Sequence, residues 1–317
     1  MHSISPSARR MLGISLCSML FGILLSMLGG RFYIRHLLSS ITFAESAPVT
    51  APIPSDPEFL TLTTAAPTEA PSQPCHILLI GQDRREGDTY ARSDCMILCS
   101  FDPENSRITL TSFLRDLYVP IPGHSKNRLN AAYAFGGRDL LAKTLAENFG
   151  LPIDGCFEVD FSCFPEIIDL LGGVSIDLRQ DEADLLGDGL ASGTQKLTGS
   201  QALSYARIRS LDPDGDFSRT ERQRKLLISL MDAFRNASMP TLLRLAPEVL
   251  SLMTTDLPRE DLLKLGKQLL PMLSSASVSS QHIPAERTYT FETVDGMSVL
   301  VPDLEAARNQ IRETLEF

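Results

Sequence analysis

The chain has 317 residues, 43% of them hydrophobic and 21% charged, with a formal net charge of −10 and a pI near 5.0. Such a length holds one large domain or two small ones with a substantial core. The acidic balance argues against general nucleic-acid binding, which needs a basic surface.

In chain order the first element is Met11–Gly30, an uncharged run reading MLGISLCSMLFGILLSMLGG. At ~1.5 Å per residue, a helix of this length crosses a hydrocarbon core of about 30 Å. The run exceeds the usual apolar region of a signal peptide, so the expectation is one uncleaved transmembrane helix at 11–30. Cleavage near Thr42–Ala44 is the alternative. Arg9 and Arg10 precede the run and Arg31 and Arg35 follow it, so positive-inside counting leaves the orientation nearly tied. Residues 31–74 are expected to form a stalk. From Ala44 onward it is dominated by Pro, Ala, Thr and Ser, without a sustained apolar period.

The folded part is expected over 75–317. His76–Ile80 (HILLI), ending in Gly81, predicts a buried central strand. Cys95–Phe101 and Arg107–Phe113 flank the turn sequence DPENS and predict a β-hairpin. Tyr118–Gly123 contains two prolines that exclude a helix. Helices are predicted over Gly137–Phe149 and Ser162–Leu171, with short strands at Phe157–Asp160 and Val174–Leu178. Thr198 followed by Gln201 has the spacing of a capping box. Ser218 and Glu221 repeat it and predict a helix over Arg219–Asn236. Further helices are predicted over Leu242–Met253, Arg259–Leu273 and Leu304–Leu315, with a strand at Met297–Val301. Strands alternating with helices, plus one antiparallel hairpin, predict an α/β/α layered domain with a mixed central sheet.

The six cysteines show neither a CxxC pair nor zinc-ligand spacing. One disulfide among Cys75, Cys95, Cys99, Cys156 and Cys163 is compatible with the sequence, which does not assign a pairing.

The chemistry concentrates in Leu203–Gln223, LSYARIRSLDPDGDFSRTERQ, followed at once by Arg224. Guanidinium groups suit planar, bidentate recognition of phosphate or carboxylate. In an extended segment Arg207 and Arg209 would project to one side. In the following helix Arg219 and Gln223, four apart, share a face. Arg219 in a first turn opposes the helix dipole, which makes sense if a phosphate sits at that end. Arg222 and Arg224 fall on other faces and are expected to be solvated, salt-bridged residues. Upstream, Asp83 ends the HILLIG strand and Arg92-Ser93-Asp94 begins the next. Antiparallel pairing would bring the two aspartates to one sheet edge, as an oxygen-rich site suited to Mg²⁺. Arg115 follows the hairpin's second strand, and Arg128 is a further cation. The sequence lacks GxSxG, HExxH and P-loop patterns.

HILLIGQDRR, RSDCMIL, TLTSFLRDLYVPIPG, NRLNAAYAFGG, KLTGSQALSYARIRS and DGDFSRTERQRKLL resemble, in order and spacing, the LytR-CpsA-Psr family of cell-wall enzymes. The resemblance spans roughly Cys75 to Met231 and extends to the anchor-and-stalk layout. It implies a cytoplasmic N-terminus (1–10), an extracellular catalytic domain, and transfer of a glycopolymer from a polyprenyl-pyrophosphate carrier to peptidoglycan. The expected acceptor is the C6 hydroxyl of N-acetylmuramic acid. Residue by residue, it implies Mg²⁺ at Asp83 and Asp94, with one of the two as base. It places the pyrophosphate on Arg92, Arg115, Arg128, Arg207, Arg209, Arg219 and Gln223, with Arg115 also catalytic. Arg128 stands where the family often has Lys. An apolar tunnel for the lipid is implied, with candidate walls in Leu140–Phe149, Phe164–Leu171 and Leu226–Met231. Two other activities stay open on the residues alone: hydrolysis of a lipid pyrophosphate, and non-catalytic lipid-phosphate binding or regulation.

Overall fold

The computed structural model describes residues 37, 39–43, 74–83, 92–160, 164–212 and 216–315. The predicted anchor at Met11–Gly30 lies outside them; among the described residues no helix is long and apolar enough to cross a membrane. The strands are β1 (Thr42–Phe43), β2 (Cys75–Asp83), β3 (Arg92–Asp102), β4 (Arg107–Phe113), β5 (Tyr118–Val119), β6 (Asn127–Arg128), β7 (Gly155–Asp160), β8 (Val174–Leu178), β9 (Gly193–Leu197), β10 (Met253–Thr255), β11 (Ser277–Ile283), β12 (Tyr289–Val294) and β13 (Met297–Pro302). The helices are α1 (Leu129–Phe149), α2 (Phe164–Leu170), α3 (Gln180–Leu186), α4 (Gly199–Ala206), α5 (Asp216–Asn236), α6 (Met239–Ser251), α7 (Arg259–Ser275) and α8 (Leu304–Leu315).

Seven strands form the central sheet in the order β1-β10-β7-β2-β3-β4-β11. The apolar runs occupy its middle, where both faces are covered: Leu78, Ile80, Met96 and Leu98 are buried on one side, Ile97, Cys99, Ile108 and Leu110 on the other. β2–β3 and β3–β4 are antiparallel, whereas β2–β7 and β4–β11 are parallel. The sheet is therefore mixed, as the hairpin inside a βα pattern predicts. α1 and α8 pack on one face; α5 and α7 cover the other. A further cluster built from α2, α3, α4, β8 and β9 extends from α5.

Local chemistry explains the helix ends. Thr198 accepts from the Gln201 backbone N–H and Gln201 returns a bond, closing the predicted box at α4. α1 ends at Gly150, whose φ of 70° is open to glycine at little cost. α1 begins at Leu129, eight residues before the predicted start, and is kinked where Gly136 and Gly137 leave helical geometry. α5 begins at Asp216, not at Arg219: an acidic side chain in the first turn complements the helix dipole. Gly199 permits the close approach of α4 to α2, since a Cβ there would lie 2.1 Å from the Pro165 carbonyl oxygen. The late strand β13 does not join the central sheet; it pairs with β12 in a separate hairpin.

Candidate active site

The site lies at the sheet edge where β2 ends and β3 begins. Asp83 pairs with Arg92 across the antiparallel ladder, as the sequence predicts, which brings the GQD and RSD segments together. The side chains of Asp83 and Arg92 lie outside the described residues. The register passes from Gly81↔Cys95 to Gln82↔Ser93, so Asp94 is the extra residue of a β-bulge. Bulges re-aim a side chain out of the regular ladder. Asp94 is thereby directed at two guanidiniums: Arg115 Nη1 donates to Oδ1 at 2.9 Å, and Arg209 Nη2 stands 3.5 Å from Oδ2.

Arg115, just beyond β4, is the hub. Its Nε lies 3.3 Å from Asp216 Oδ1 and 3.6 Å from Asp116 Oδ2. Burial works against its charge, but Asp216, Asp94 and Asp116 together hold its pKa above the usual value. Arg219 is 2% exposed, ion-paired with Asp216, and approaches the Asp94 carbonyl at 3.5 Å through Nη2. Burial lowers the Arg219 pKa, with Asp216 opposing. Burial likewise raises that of Asp216 against the pull of Arg219 and Arg115. Asp216 Oδ2, Arg115 Nε and Arg219 Nε are buried without a hydrogen-bond partner.

Arg128 joins through Asp116, whose Oδ1 lies 3.5 Å from its Nε, and also donates to the Ser298 carbonyl at 3.1 Å. Arg207 departs from the extended geometry expected of it. α4 continues through it, its N–H bonding to the Leu203 and Ser204 carbonyls, so Arg207 and Arg209 do not project in parallel as on a strand. Arg207 is exposed at that helix end, while Arg209 reaches Asp94.

Gln223 is buried one turn beyond Arg219 and lines an apolar cavity of about 200 Å³. Gly81 and Cys95 line it too, so charged cluster and cavity share a wall. Phe164 and Ile167 of α2 and Leu226, Leu227 and Leu230 of α5 complete it, as the predicted tunnel segments suggest. The Leu140–Phe149 segment does not contribute: Leu141, Leu145 and Phe149 pack in the core on the opposite face of the sheet. Cys75, Cys95, Cys99 and Cys156 are free thiols. Burial pushes Cys95 up to about 12, although Arg219 and Arg224 pull the other way.

Arg222 and Arg224, expected in solvent, are both buried. Arg222 donates to Glu182 Oε1 at 2.7 Å and pairs with Asp212, which Arg179 also holds at 2.9 Å. This network anchors one end of the loop between Arg209 and Asp216. Asp216 itself is the functional residue missed in the sequence. Its signal was the three-residue spacing to Arg219, which places both on one helix face.

Among the described residues no three carboxylate, imidazole or thiol groups gather at metal-binding spacing. The donor set is nonetheless oxygen-only, with the unbonded Asp216 Oδ2 beside Asp94. This suits a hard divalent cation whose shell phosphate oxygens complete.

Comparison with known proteins gives this geometry its context. The chain is 32% identical over 216 residues to the regulatory protein MsrR of Staphylococcus aureus (strain COL), a match covering 67% of this chain and 65% of that protein. It is 36% identical over 202 residues to the polyisoprenyl-teichoic acid–peptidoglycan teichoic acid transferase TagU of Bacillus mycoides (strain KBAB4), covering 63% and 64%. The matches thus span just under two thirds of these relatives' lengths. The fold is similar to the structure of YwtF (TagT) with bound octaprenyl pyrophosphate lipid, with a TM-score of 0.59 and 26% identity over 78% of this chain and 92% of that one. The family profile matches residues 52–315, and the chain belongs to the LytR_cpsA_psr family.

Proposed function

We propose that the chain is a membrane-anchored transferase. It moves a glycopolymer from a polyprenyl-pyrophosphate carrier onto peptidoglycan, through a phosphodiester to the C6 hydroxyl of N-acetylmuramic acid. The observation that carries this reading is the shared wall between an arginine cluster and an apolar cavity, at Cys95 and Gln223. A ligand matching both has a multiply charged head on an apolar tail. TagU is named for such a transfer, and YwtF (TagT) is described with octaprenyl pyrophosphate.

Arg115, Arg209 and Arg219 are each paired with carboxylates, and the pyrophosphate exchanges for these partners. Arg92, Arg128 and Arg207 complete the cationic rim. The arginines hold the phosphates in place and oppose the charge that develops as the phosphoanhydride bond breaks. Mg²⁺, held by Asp83 and Asp94, supplies further charge neutralisation when bound. Asp216, buried and with an unbonded oxygen, takes the acceptor hydroxyl's proton. The run Met11–Gly30 anchors the chain, with the catalytic domain outside the cell.

The test is incubation of the purified chain with a labelled polyprenyl-pyrophosphate glycan, with and without peptidoglycan oligomers. Product that requires the oligomer supports the transferase. Release of glycan phosphate to water at the same rate without oligomer marks a hydrolase, and binding without turnover marks a binding protein.

A further inference from the structure

Arg224 follows Gln223 in α5 and is 5% exposed. Its Nε and Nη1 are buried without a hydrogen-bond partner, and it makes no ion pair among the described residues. Its neighbour Arg222 holds two carboxylates. Glu221, whose charge does attract Arg224, is half exposed and bound to Lys225 at 2.7 Å. A buried, uncompensated guanidinium is costly and calls for an anion.

Its position says which anion. Arg219 and Arg224 both act electrostatically on Cys95, so the two guanidiniums flank that residue. Cys95 adjoins Asp94 in the charged cluster and also lines the apolar cavity. A second orphan lies on the same side: Ser112 Oγ is buried and unbonded, and Ser112 pairs with the cavity residue Ile97 across β3–β4. Cross-strand partners project to one face of the sheet. Arg224 thus stands where the charged cluster gives way to the apolar space.

We infer that Arg224 binds the lipid-side phosphate of the donor and stabilises it as the leaving group. The inference rests on the reading of the site as a polyprenyl-pyrophosphate site. In the transfer, the acceptor hydroxyl oxygen bonds to the glycan-side phosphorus, and the bond from that phosphorus to the bridging oxygen breaks. The electron pair stays on the bridging oxygen, the hydroxyl proton passes to the base, and polyprenyl monophosphate departs with added negative charge. Arg224 meets that charge at the mouth of the cavity.

The experiment titrates the full chain and its Arg224→Met and Arg224→Lys variants with polyprenyl monophosphate, polyprenyl pyrophosphate and inorganic pyrophosphate. Melting temperature without ligand is measured alongside. Arg224→Met is expected to bind polyprenyl monophosphate roughly tenfold more weakly or worse, the effect of losing a charged hydrogen bond. Its ligand-free melting temperature stays level or rises, because an unpaired buried charge has gone, and Arg224→Lys recovers part of the affinity. Parent-like affinity of Arg224→Met for the monophosphate overturns the inference. So does failure of that variant to fold, which would make the charge structural. A loss seen with inorganic pyrophosphate but not with the monophosphate lipid places Arg224 on the other phosphate, and also overturns it. A parent chain that binds none of the three overturns the reading of the whole site, whereas a binding parent matched by its variants overturns this inference alone.

Discussion

Replacing Arg219 by Met removes the most deeply buried cation of the cluster and tests fold and site together. Arg219 is 2% exposed and pairs with Asp216, whose remaining cationic partner is Arg115 at 3.3 Å. Breaking a buried pair by removing one member typically costs about 3–5 kcal/mol. Because Arg115 still faces Asp216, the lower end applies, about 3 kcal/mol. For a domain of this size that corresponds to a fall in melting temperature of roughly 6–12 °C. Loss of one charged hydrogen bond to a phosphate removes a further ~1.5–3 kcal/mol of binding, or about 10- to 150-fold in affinity. Denaturant unfolding measures the first quantity, and titration with a polyprenyl pyrophosphate under conditions where the variant is folded measures the second. A folded variant that binds the lipid as tightly as the parent would refute the placement of Arg219 in the head-group site. A variant of unchanged stability would refute the buried pair.

Asp216→Asn tests the same pair through pH. Burial raises the Asp216 pKa in the folded protein, so its contribution to stability is present in acid and lost as pH rises from about 4 through the raised value. The stability difference between parent and variant should therefore shift against the parent between about pH 4 and pH 7; a flat difference would contradict the assignment. Arg222→Met breaks the buried link to Glu182 and Asp212 and should cost about 3–5 kcal/mol in denaturant unfolding. Any change in donor affinity should be confined to the loop bearing Arg209, leaving inorganic pyrophosphate protection of Arg219 contacts intact by hydrogen exchange. Leu230→Trp fills the cavity and should weaken polyprenyl pyrophosphate binding while leaving inorganic pyrophosphate unaffected; overpacking should cost about 1–3 kcal/mol of stability. Equal loss for both ligands would separate the cavity from the lipid.

The sequence carried the parts of the fold whose pattern is local. HILLIG and CMILCSF are continuous apolar runs because both sheet faces are covered there, and their antiparallel pairing around Asp83 and Arg92 follows from the strand order. The four-residue step from Arg219 to Gln223 likewise put both at the site. What failed to show depends on distant partners. β11 reads SVSSQHI, polar because it is an edge strand, with most of its residues at least partly exposed. Arg222 looked like a solvated residue because its partner Glu182 is forty positions away. The bulge that aims Asp94 is a register event between two strands, invisible in either one alone. Asp216 was hidden in an acidic loop sequence, and only the observed start of α5 reveals it as part of a helix turn with Arg219.

The claim at the centre of this account is that one ligand occupies both the arginine cluster and the apolar cavity. The most direct measurement is an experimental structure of the chain with a polyprenyl pyrophosphate. The account predicts phosphates in contact with Arg115, Arg209 and Arg219, between Asp94 and Arg209, and the tail against Phe164, Leu226 and Leu230. Phosphates bound away from these arginines, or a tail outside that cavity, would contradict it.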